Sequence, residues 1–273
     1  MTSTFVFTVI MLSVLGVFLA AVLYFVAQKF KVYEDPRIDQ VAEALPGANC
    51  GGCGFAGCRA FAEGCVKADS LEGLFCPVGG NATMHTIAEV LGRAAVEKEP
   101  MISVLRCGGS CDKRQEINRY DGIATCAVAA ALYDGNTACS YGCLMLGDCV
   151  RACSFCGLTL DPQTGLPVAD ESICTACGSC VRACPKSLLE LRNRGPKGRR
   201  VYVNCSNKDK GAIARKACEV ACIGCNKCVK ACAFEAIKIV DNLAYIDFTK
   251  CKLCRKCVSE CPTGAIVEAN MRQ

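Results

Sequence analysis

The sequence predicts an α+β protein built of small cysteine-held modules behind a single apolar N-terminal helix. Three observations predict it. Residues Phe5 to Ala27 are apolar apart from Thr8, Ser13 and Tyr24. Cysteine fills 27 of 273 positions, a density that means either a disulfide scaffold or bound metal. The cysteines fall into runs whose spacing recurs, and each run belongs to a module too short to fold on an apolar core alone.

The anchor comes first. Twenty-three helical residues from Phe5 to Ala27 span roughly 35 Å, enough to cross a bilayer. Lys29 and Lys31 follow at once and no charged residue precedes, which predicts a single pass with the C-terminal side in the cytoplasm of a cell (inner) membrane. A cleaved signal peptide would want a basic leader, a shorter apolar core and a small-residue cleavage site. Cytoplasmic thiols stay reduced and open to iron. A charged linker, Glu34 to Gln40, leads on.

Next stands Leu45-Pro-Gly-Ala-Asn-Cys50-Gly-Gly-Cys53-Gly-Phe-Ala-Gly-Cys58, with Cys76-Pro-Val-Gly-Gly80 downstream. Four thiolates at 50, 53, 58 and 76 suffice for one [4Fe–4S] centre, and glycines 51, 52, 54 and 57 let backbone amides come close to sulfur. A zinc site could use the same ligands, but the runs that follow favour iron. Cys65 sits on an expected helix, Arg59 to Lys67, as a small buried apolar group. Met84, Ile87, Ala88, Leu91, Ala95 and Val96 recur at helical spacing over Asn81 to Lys98. Asn81 is a candidate cap, and the lone histidine, His85, a surface or packing residue.

The four runs lie between Cys139 and Cys261. Cys174-x₂-Cys177-x₂-Cys180-x₃-Cys184-Pro185 and Cys251-x₂-Cys254-x₂-Cys257-x₃-Cys261-Pro262 share one spacing. That spacing is the bacterial ferredoxin run for [4Fe–4S] clusters, in which the fourth cysteine serves the other cluster of a pair. Cys222, Cys225, Cys228 and Cys232 repeat it with Ala233 for the proline, and Cys139-x₃-Cys143-x₅-Cys149-x₃-Cys153 is a variant. Aligning the cysteines exposes a duplication. Cys126-x₁₂-Cys139-x₃-Cys143 matches Cys205-x₁₂-Cys218-x₃-Cys222, Leu146 stands where the second copy has Cys225, and Asp170 and Asp247 each sit four residues before the next run. One unit therefore runs from about Met101 to Leu191 and the other from about Val201 to Val267. Strand candidates of the second are Val201–Val203, Ile237–Ile239, Ala244–Ile246 and Ala265–Val267. The chain divides into a transmembrane anchor (1–31), an N-terminal [4Fe–4S] domain (32–100) and two tandem bacterial-type 2[4Fe–4S] ferredoxin-like units (101–195 and 196–273).

Exchange of the last cysteine predicts four ligand sets. They are Cys222, Cys225 and Cys228 with Cys261; Cys251, Cys254 and Cys257 with Cys232; Cys174, Cys177 and Cys180 with Cys153; and Cys139, Cys143 and Cys149 with Cys184. In the last, irregular set Cys126 or Cys107 could replace a member. Cys107, Cys111, Cys126, Cys156, Cys205 and Cys218 are left over, either a sixth cluster or structural thiols remaining from the duplication; the structural reading is preferred. Cys218-x₃-Cys222-x₂-Cys225 also fits the radical S-adenosylmethionine spacing. It is discounted, because Cys228 and Cys232 continue the ferredoxin run and no large barrel domain follows.

Between the units, Arg182 to Lys216 carries eleven Lys or Arg against Glu190 and Asp209. It reads either as a solvated linker or as a docking patch for an acidic electron carrier. The net charge of +5 is too modest to call for nucleic acid. One histidine leaves little room for imidazole metal sites or acid–base catalysis, and no dinucleotide or Walker loop is present. No catalytic residues are expected.

Taken together, the apolar helix, the Leu45 to Cys58 segment with Cys76-Pro-Val-Gly-Gly, and the ferredoxin runs resemble the RnfB family of the Rnf electron transport complex along nearly the whole chain. Short family members carry one two-cluster unit, similar to residues 205 to 267; the first unit resembles the insertion of longer members. The resemblance implies a complex that passes electrons between reduced ferredoxin and NAD and couples this to Na⁺ or H⁺ movement. It implies that this chain accepts electrons from soluble ferredoxin and relays them to membrane and peripheral partner subunits; the cysteine runs provide for five [4Fe–4S] clusters, or six if the leftover cysteines form one.

Overall fold

The computed structural model describes residues 2–29 and 35–271; Lys31 and Glu34 lie outside them. Helix α1 (Thr2–Lys29) has 28 residues, roughly 42 Å at 1.5 Å per residue. From Phe5 to Lys29 none of it is buried against the rest of the chain. The helix is apolar all round, and it is long and apolar enough to cross a membrane.

Helices α2 (Arg37–Ala44), α3 (Cys58–Lys67) and α4 (Gly80–Leu91) pack around a small core. Val41, Phe61, Ala62, Cys65, Met84 and Ile87 are at most 1% exposed; Cys65 is thus the buried apolar group expected of it. Helix α4 stops seven residues before the expected Lys98. Gly92 takes the left-handed conformation, φ +63°, and the Gly92 and Arg93 amides close on the carbonyls of Glu89 and Ala88 at 3.2 and 2.9 Å, a Schellman-type end that favours glycine. Ala95 and Val96 reach the same core from outside the helix. Asn81 does not cap α4; its side-chain amide brackets Lys98, accepting from the amide at 3.0 Å and donating to the carbonyl at 3.1 Å. His85 is half-exposed and meets Glu97 at 3.1 Å.

The duplicated part follows one plan twice. The first unit comprises β1 (Met101–Leu105), α5 (Cys126–Tyr133), α6 (Asp148–Arg151), β2 (Leu158–Leu160), β3 (Pro167–Ala169), α7 (Ser179–Ala183) and β4 (Leu189–Asn193). The second comprises β5 (Arg200–Val203), α8 (Gly211–Ala217), α9 (Lys227–Ala231), β6 (Ile237–Val240), β7 (Leu243–Ile246), α10 (Lys256–Ser259) and β8 (Ile266–Ala269). All pairing is antiparallel. The first strand of each unit meets the last, Ser103 opposite Leu191 and Tyr202 opposite Val267, and the middle pair forms a hairpin, Leu158 opposite Ala169 and Ile237 opposite Ile246. Strands of three to five residues cannot stand alone. They rest on a core in which cysteines sit among Val201, Val203, Ile237 and Ile246. Asp170 and Asp247 open the equivalent loops: each carboxylate accepts from the amide and hydroxyl two residues on, Ser172 or Thr249, and each carbonyl accepts from the next run's first cysteine. These bonds hold both carboxyls below the usual range.

The basic stretch is not an unstructured linker. It contains β4, β5 and α8, and Arg192 is 1% exposed. The Arg192 guanidinium pairs with Glu190, donates to the Ile246 carbonyl at 3.2 Å and lies 5.1 Å from the Tyr245 ring centre. Arg106 approaches the same ring at 5.1 Å and Glu190 at 3.5 Å. Arg192 and Arg106 thus join the two units, while Arg182, Lys197, Lys208, Lys210, Arg215 and Lys216 of the basic stretch are exposed.

Candidate metal centres

The cysteines gather into six groups of four, numbered here in spatial order. Cys50, Cys53, Cys58 and Cys76 line one cavity, quartet I. The loop after α2 carries Cys50 and Cys53, Cys58 opens α3, and Cys76 comes from the turn before α4, where the Gly79 amide lies 3.4 Å from its sulfur. Cys153, Cys174, Cys177 and Cys180 line a second, quartet II. Ser103 Oγ lies 3.2 Å from Cys180 Sγ. Burial raises the Cys177 thiol, but the Ser179 hydroxyl and amide, Thr175 and Arg182 outweigh it and leave the thiol below its ordinary value.

Cys232, Cys251, Cys254 and Cys257 line quartet VI. In quartet V, Cys228 is surrounded by Cys222, Cys225 and Cys261, and the Ala244 amide reaches Cys222 Sγ at 3.5 Å. In each unit the short helix after a run turns its last cysteine away, so that Cys153, Cys232 and Cys261 sit with the neighbouring run. These three groups and quartet I have the membership expected from the spacing.

The irregular run departs from expectation. Cys143, Cys149 and Cys184 are joined by Cys126, at the start of α5, to make quartet III. Cys139 is elsewhere: it stands with Cys107, Cys205 and Cys218 in quartet IV, on which both units converge. The Asn207 side-chain amide reaches Cys139 Sγ at 3.3 Å while its backbone amide reaches Cys205 Sγ at 3.4 Å. The sulfurs of Cys218 and Cys107 both close on Gly109, where an added Cβ would meet them at 3.3 and 3.7 Å. All four cysteines of quartet IV are less than a tenth exposed. Three cysteines remain outside every quartet: buried Cys65 and exposed Cys111 and Cys156.

The cause of the swap is visible in the repeat. Leu146 occupies the place of a run's second cysteine, so the first unit lacks one thiol, and Cys126 supplies it. The duplicated spacing carried that signal, because Leu146 is a missing thiol and Cys126 a spare one in the same copy. The position of Cys139 carried no such signal. It depends on the segment from Lys113 to Glu116, which pairs with Cys218 and its neighbours on one side (Gln115 N–H to Ala217 O 3.1 Å, Glu219 N–H to Lys113 O 2.9 Å) and with Ala138 on the other (Ala138 N–H to Gln115 O 2.9 Å).

The donor sets fit an iron–sulfur cluster. Each is four sulfurs with no imidazole or carboxylate, and backbone amides approach sulfur at Cys76, Cys107, Cys205 and Cys222. Among the described residues no three His, Cys, Asp or Glu side chains are grouped so as to hold a single metal ion, and the all-sulfur composition of the quartets is that of an iron–sulfur site. Burial pushes the thiols of Cys143, Cys149, Cys205 and Cys257 up to about 12, and metal ligation requires the deprotonated form.

Duplicated ferredoxin-like units with such thiol sites define an iron–sulfur electron-transfer protein. Residues 45–71 match the Fe-S cluster family, 167–189 the 4Fe-4S binding domain and 221–265 the 4Fe-4S dicluster domain. The RnfB-type subunit of the Na(+)-translocating ferredoxin:NAD(+) oxidoreductase complex of Acetobacterium woodii is 42% identical over 255 residues, 93% of this chain and 75% of that protein. Its counterpart in the proton-translocating ferredoxin:NAD(+) oxidoreductase complex of Clostridium ljungdahlii is 41% identical over 266 residues, 97% of this chain and 92% of that protein. The corresponding subunit of the ion-translocating oxidoreductase complex of Methanosarcina acetivorans is also 41% identical over 266 residues, covering 97% and 99%. The chain belongs to this family, the RnfB subunits of the Rnf ion-translocating oxidoreductase complexes.

Proposed function

We propose that the chain is the electron relay of its complex, accepting electrons from reduced ferredoxin and passing them singly towards membrane and peripheral partner subunits. The bilayer holds α1, and Lys29 and Lys31 favour a cytoplasmic position for everything after residue 31. Functional boundaries at 31, 100 and 195 then separate an anchor, a one-centre domain and two two-centre units. Quartets I, II, III, V and VI hold five [4Fe–4S] clusters, which supply one-electron redox chemistry when bound. The observation that carries this reading is the crossing of last cysteines between neighbouring runs, which sets the centres of each unit side by side.

The residues around the thiols do the tuning. The amides of Gly79 and Ala244 donate to sulfur, and the Ser103 and Ser179 hydroxyls, which accept from the thiols, would turn to donate once these are thiolates; such donors favour the more negative, reduced state of the centre they face. Arg182 adds a cation between quartets I and II, donating to the Cys50 carbonyl at 3.1 Å and the Cys177 carbonyl at 3.3 Å.

Mixing the oxygen-free, full-length protein with reduced ferredoxin tests the reading directly. Rapid bleaching of the iron–sulfur absorbance is expected, with acid-labile sulfide equal to iron. A colourless protein carrying zinc would sink the relay, and a brown protein that ferredoxin cannot reduce would sink the assignment of its donor.

A further inference from the structure

The two ferredoxin-like units repeat each other, and the second leaves open a surface that the first has covered. Cys177 of quartet II and Cys254 of quartet VI are the second cysteines of equivalent runs. Their loops share one backbone: Ala176 and Leu253 stand at φ +56° and +57°, Gly178 and Arg255 at +76° and +66°. In the first unit the N-terminal domain sits on this loop. Gly52 packs against the Cys177 carbonyl, Arg182 donates to the Cys50 carbonyl at 3.1 Å, and the cleft between the two is lined by Cys53 and Phe75 on one side and by Thr175 and Ala176 on the other. Cys177 is half-buried there, whereas Cys254 is exposed. Among the described residues, Cys254 and Cys225 are the only exposed cysteines of the six quartets.

What changes between the two loops is charge. Neutral Ile173, Thr175, Gly178 and Ser179 are replaced by Lys250, Lys252, Arg255 and Lys256. All four cations are exposed, and no acid falls between Asp247 and Glu260. They stand within four residues of Cys254, while a single cation, Lys227, stands as close in sequence to Cys225. Arg255 occupies a left-handed position that favours glycine, so the second unit keeps a cation where the first has the residue the backbone prefers. Glu268 fixes its guanidinium through contacts of 2.5 and 2.6 Å, and the three lysines supply the excess of positive charge. Phe234, 45% exposed, lines the quartet VI cavity together with Lys252, Cys254 and Arg255, an apolar contact beside the cations. A covered neutral face and an open basic face on one scaffold suit different occupants: a domain of the same chain for the first, a separate acidic partner for the second.

We propose that the face formed by Lys250, Lys252, Arg255, Lys256 and Phe234 around Cys254 is the docking surface for a small acidic electron carrier, the reduced ferredoxin of the relay reading on which this proposal rests, and that electrons enter the chain at quartet VI. One electron leaves ferredoxin and one arrives at the centre that quartet VI holds; no bond forms or breaks and no proton moves. Contacts lead back from there. Cys257 neighbours Cys228 of quartet V, and Cys222 of quartet V neighbours Cys205 of quartet IV. Cys107 Sγ of quartet IV lies 3.4 Å from the Cys143 amide of quartet III, and Cys149 of quartet III neighbours Cys180 of quartet II. The entry thus lies at the opposite end of this series from quartet I, whose domain follows the anchor.

Zero-length carbodiimide coupling of an oxidised, acidic ferredoxin to the oxygen-free full-length chain, read by mass spectrometry, tests the surface without calling on turnover. Cross-links from ferredoxin carboxylates are expected at Lys250, Lys252 and Lys256. Links confined to Lys208, Lys210 and Lys216, or to the N-terminal domain and the first unit, overturn the proposal. Reversal of charge gives the second measurement. In Lys252→Glu/Lys256→Glu, reduction by ferredoxin at low salt is expected to slow about tenfold or more, and the difference to shrink as salt rises. Lys210→Glu/Lys216→Glu is expected to keep its rate within about twofold. Iron content and reduction by the methyl viologen radical cation, which needs no docking face, verify that each variant is intact. An unslowed Lys252→Glu/Lys256→Glu overturns the face and leaves the relay standing. Failure of ferredoxin both to couple to and to reduce the unsubstituted chain, while the viologen reduces it, overturns the donor as well.

Discussion

At the scale of single residues, charge buried between the units does structural work. Arg192 is enclosed by Tyr202, Tyr245 and Phe248, with ring centres 5.8, 5.1 and 5.7 Å from its guanidinium carbon. Removing one member of a buried ion pair leaves the other uncompensated, at about 3–5 kcal/mol. Glu190 would keep Arg106, so Arg192→Met is expected at the low end, about 3 kcal/mol. Its thermal melt should show the two ferredoxin-like units separating before they unfold; an unchanged melting temperature would mean that the other inter-unit ties suffice. The sequence showed Arg192 only as one cation in a basic stretch, because nothing local reveals aromatic rings ten and more than fifty residues away. Spacing did better where ligation is local: quartets I, II, V and VI follow from it. It failed at Cys139, whose partners are set by a clamp from another part of the chain.

At the scale of elements, the contact between the N-terminal domain and the first unit turns on one glycine. A Cβ at Gly52 would stand 2.8 Å from the Cys177 carbonyl oxygen and 2.9 Å from Pro77 Cγ. The carbonyl is backbone and cannot swing aside, so Gly52→Ala must force the two cysteine loops apart, a cost of about 1–3 kcal/mol. The expected outcome is full iron content with weakened magnetic coupling between two reduced centres, read as narrower EPR lines. An unaltered spectrum would show that the loops absorb the extra methyl. The short strands were legible, since alternation in Val201–Val203 and Ala244–Ile246 and the repeat itself mark them. The end of α4 was not, because Ala95 and Val96 keep helical spacing after Gly92 has already turned the chain; apolar periodicity reports what faces the core, not how it gets there.

At the scale of the whole molecule, an uncovered apolar helix carries a cluster-bearing body at one end. In membrane vesicles, protease should remove that body only from inverted preparations, with the cytoplasmic face outward, and leave α1 behind. Digestion in right-side-out vesicles instead would reverse the assigned orientation. Of the relatives similar over nearly the whole of this chain, one is named for sodium and one for protons.

The spatial order of the quartets has a further consequence, for how the protein is made. A chain leaving the ribosome N-terminus first delivers the final cysteine of quartet I at Cys76, of II at Cys180, of III at Cys184 and of IV at Cys218, with the last pair finished by Cys257 and Cys261. Iron delivered during synthesis would therefore fill quartets I to IV in that order, with quartet VI closed just before quartet V. A nascent chain arrested before Cys218 would already hold a competent first half, and one released just after it would carry the splice onto which the second half folds.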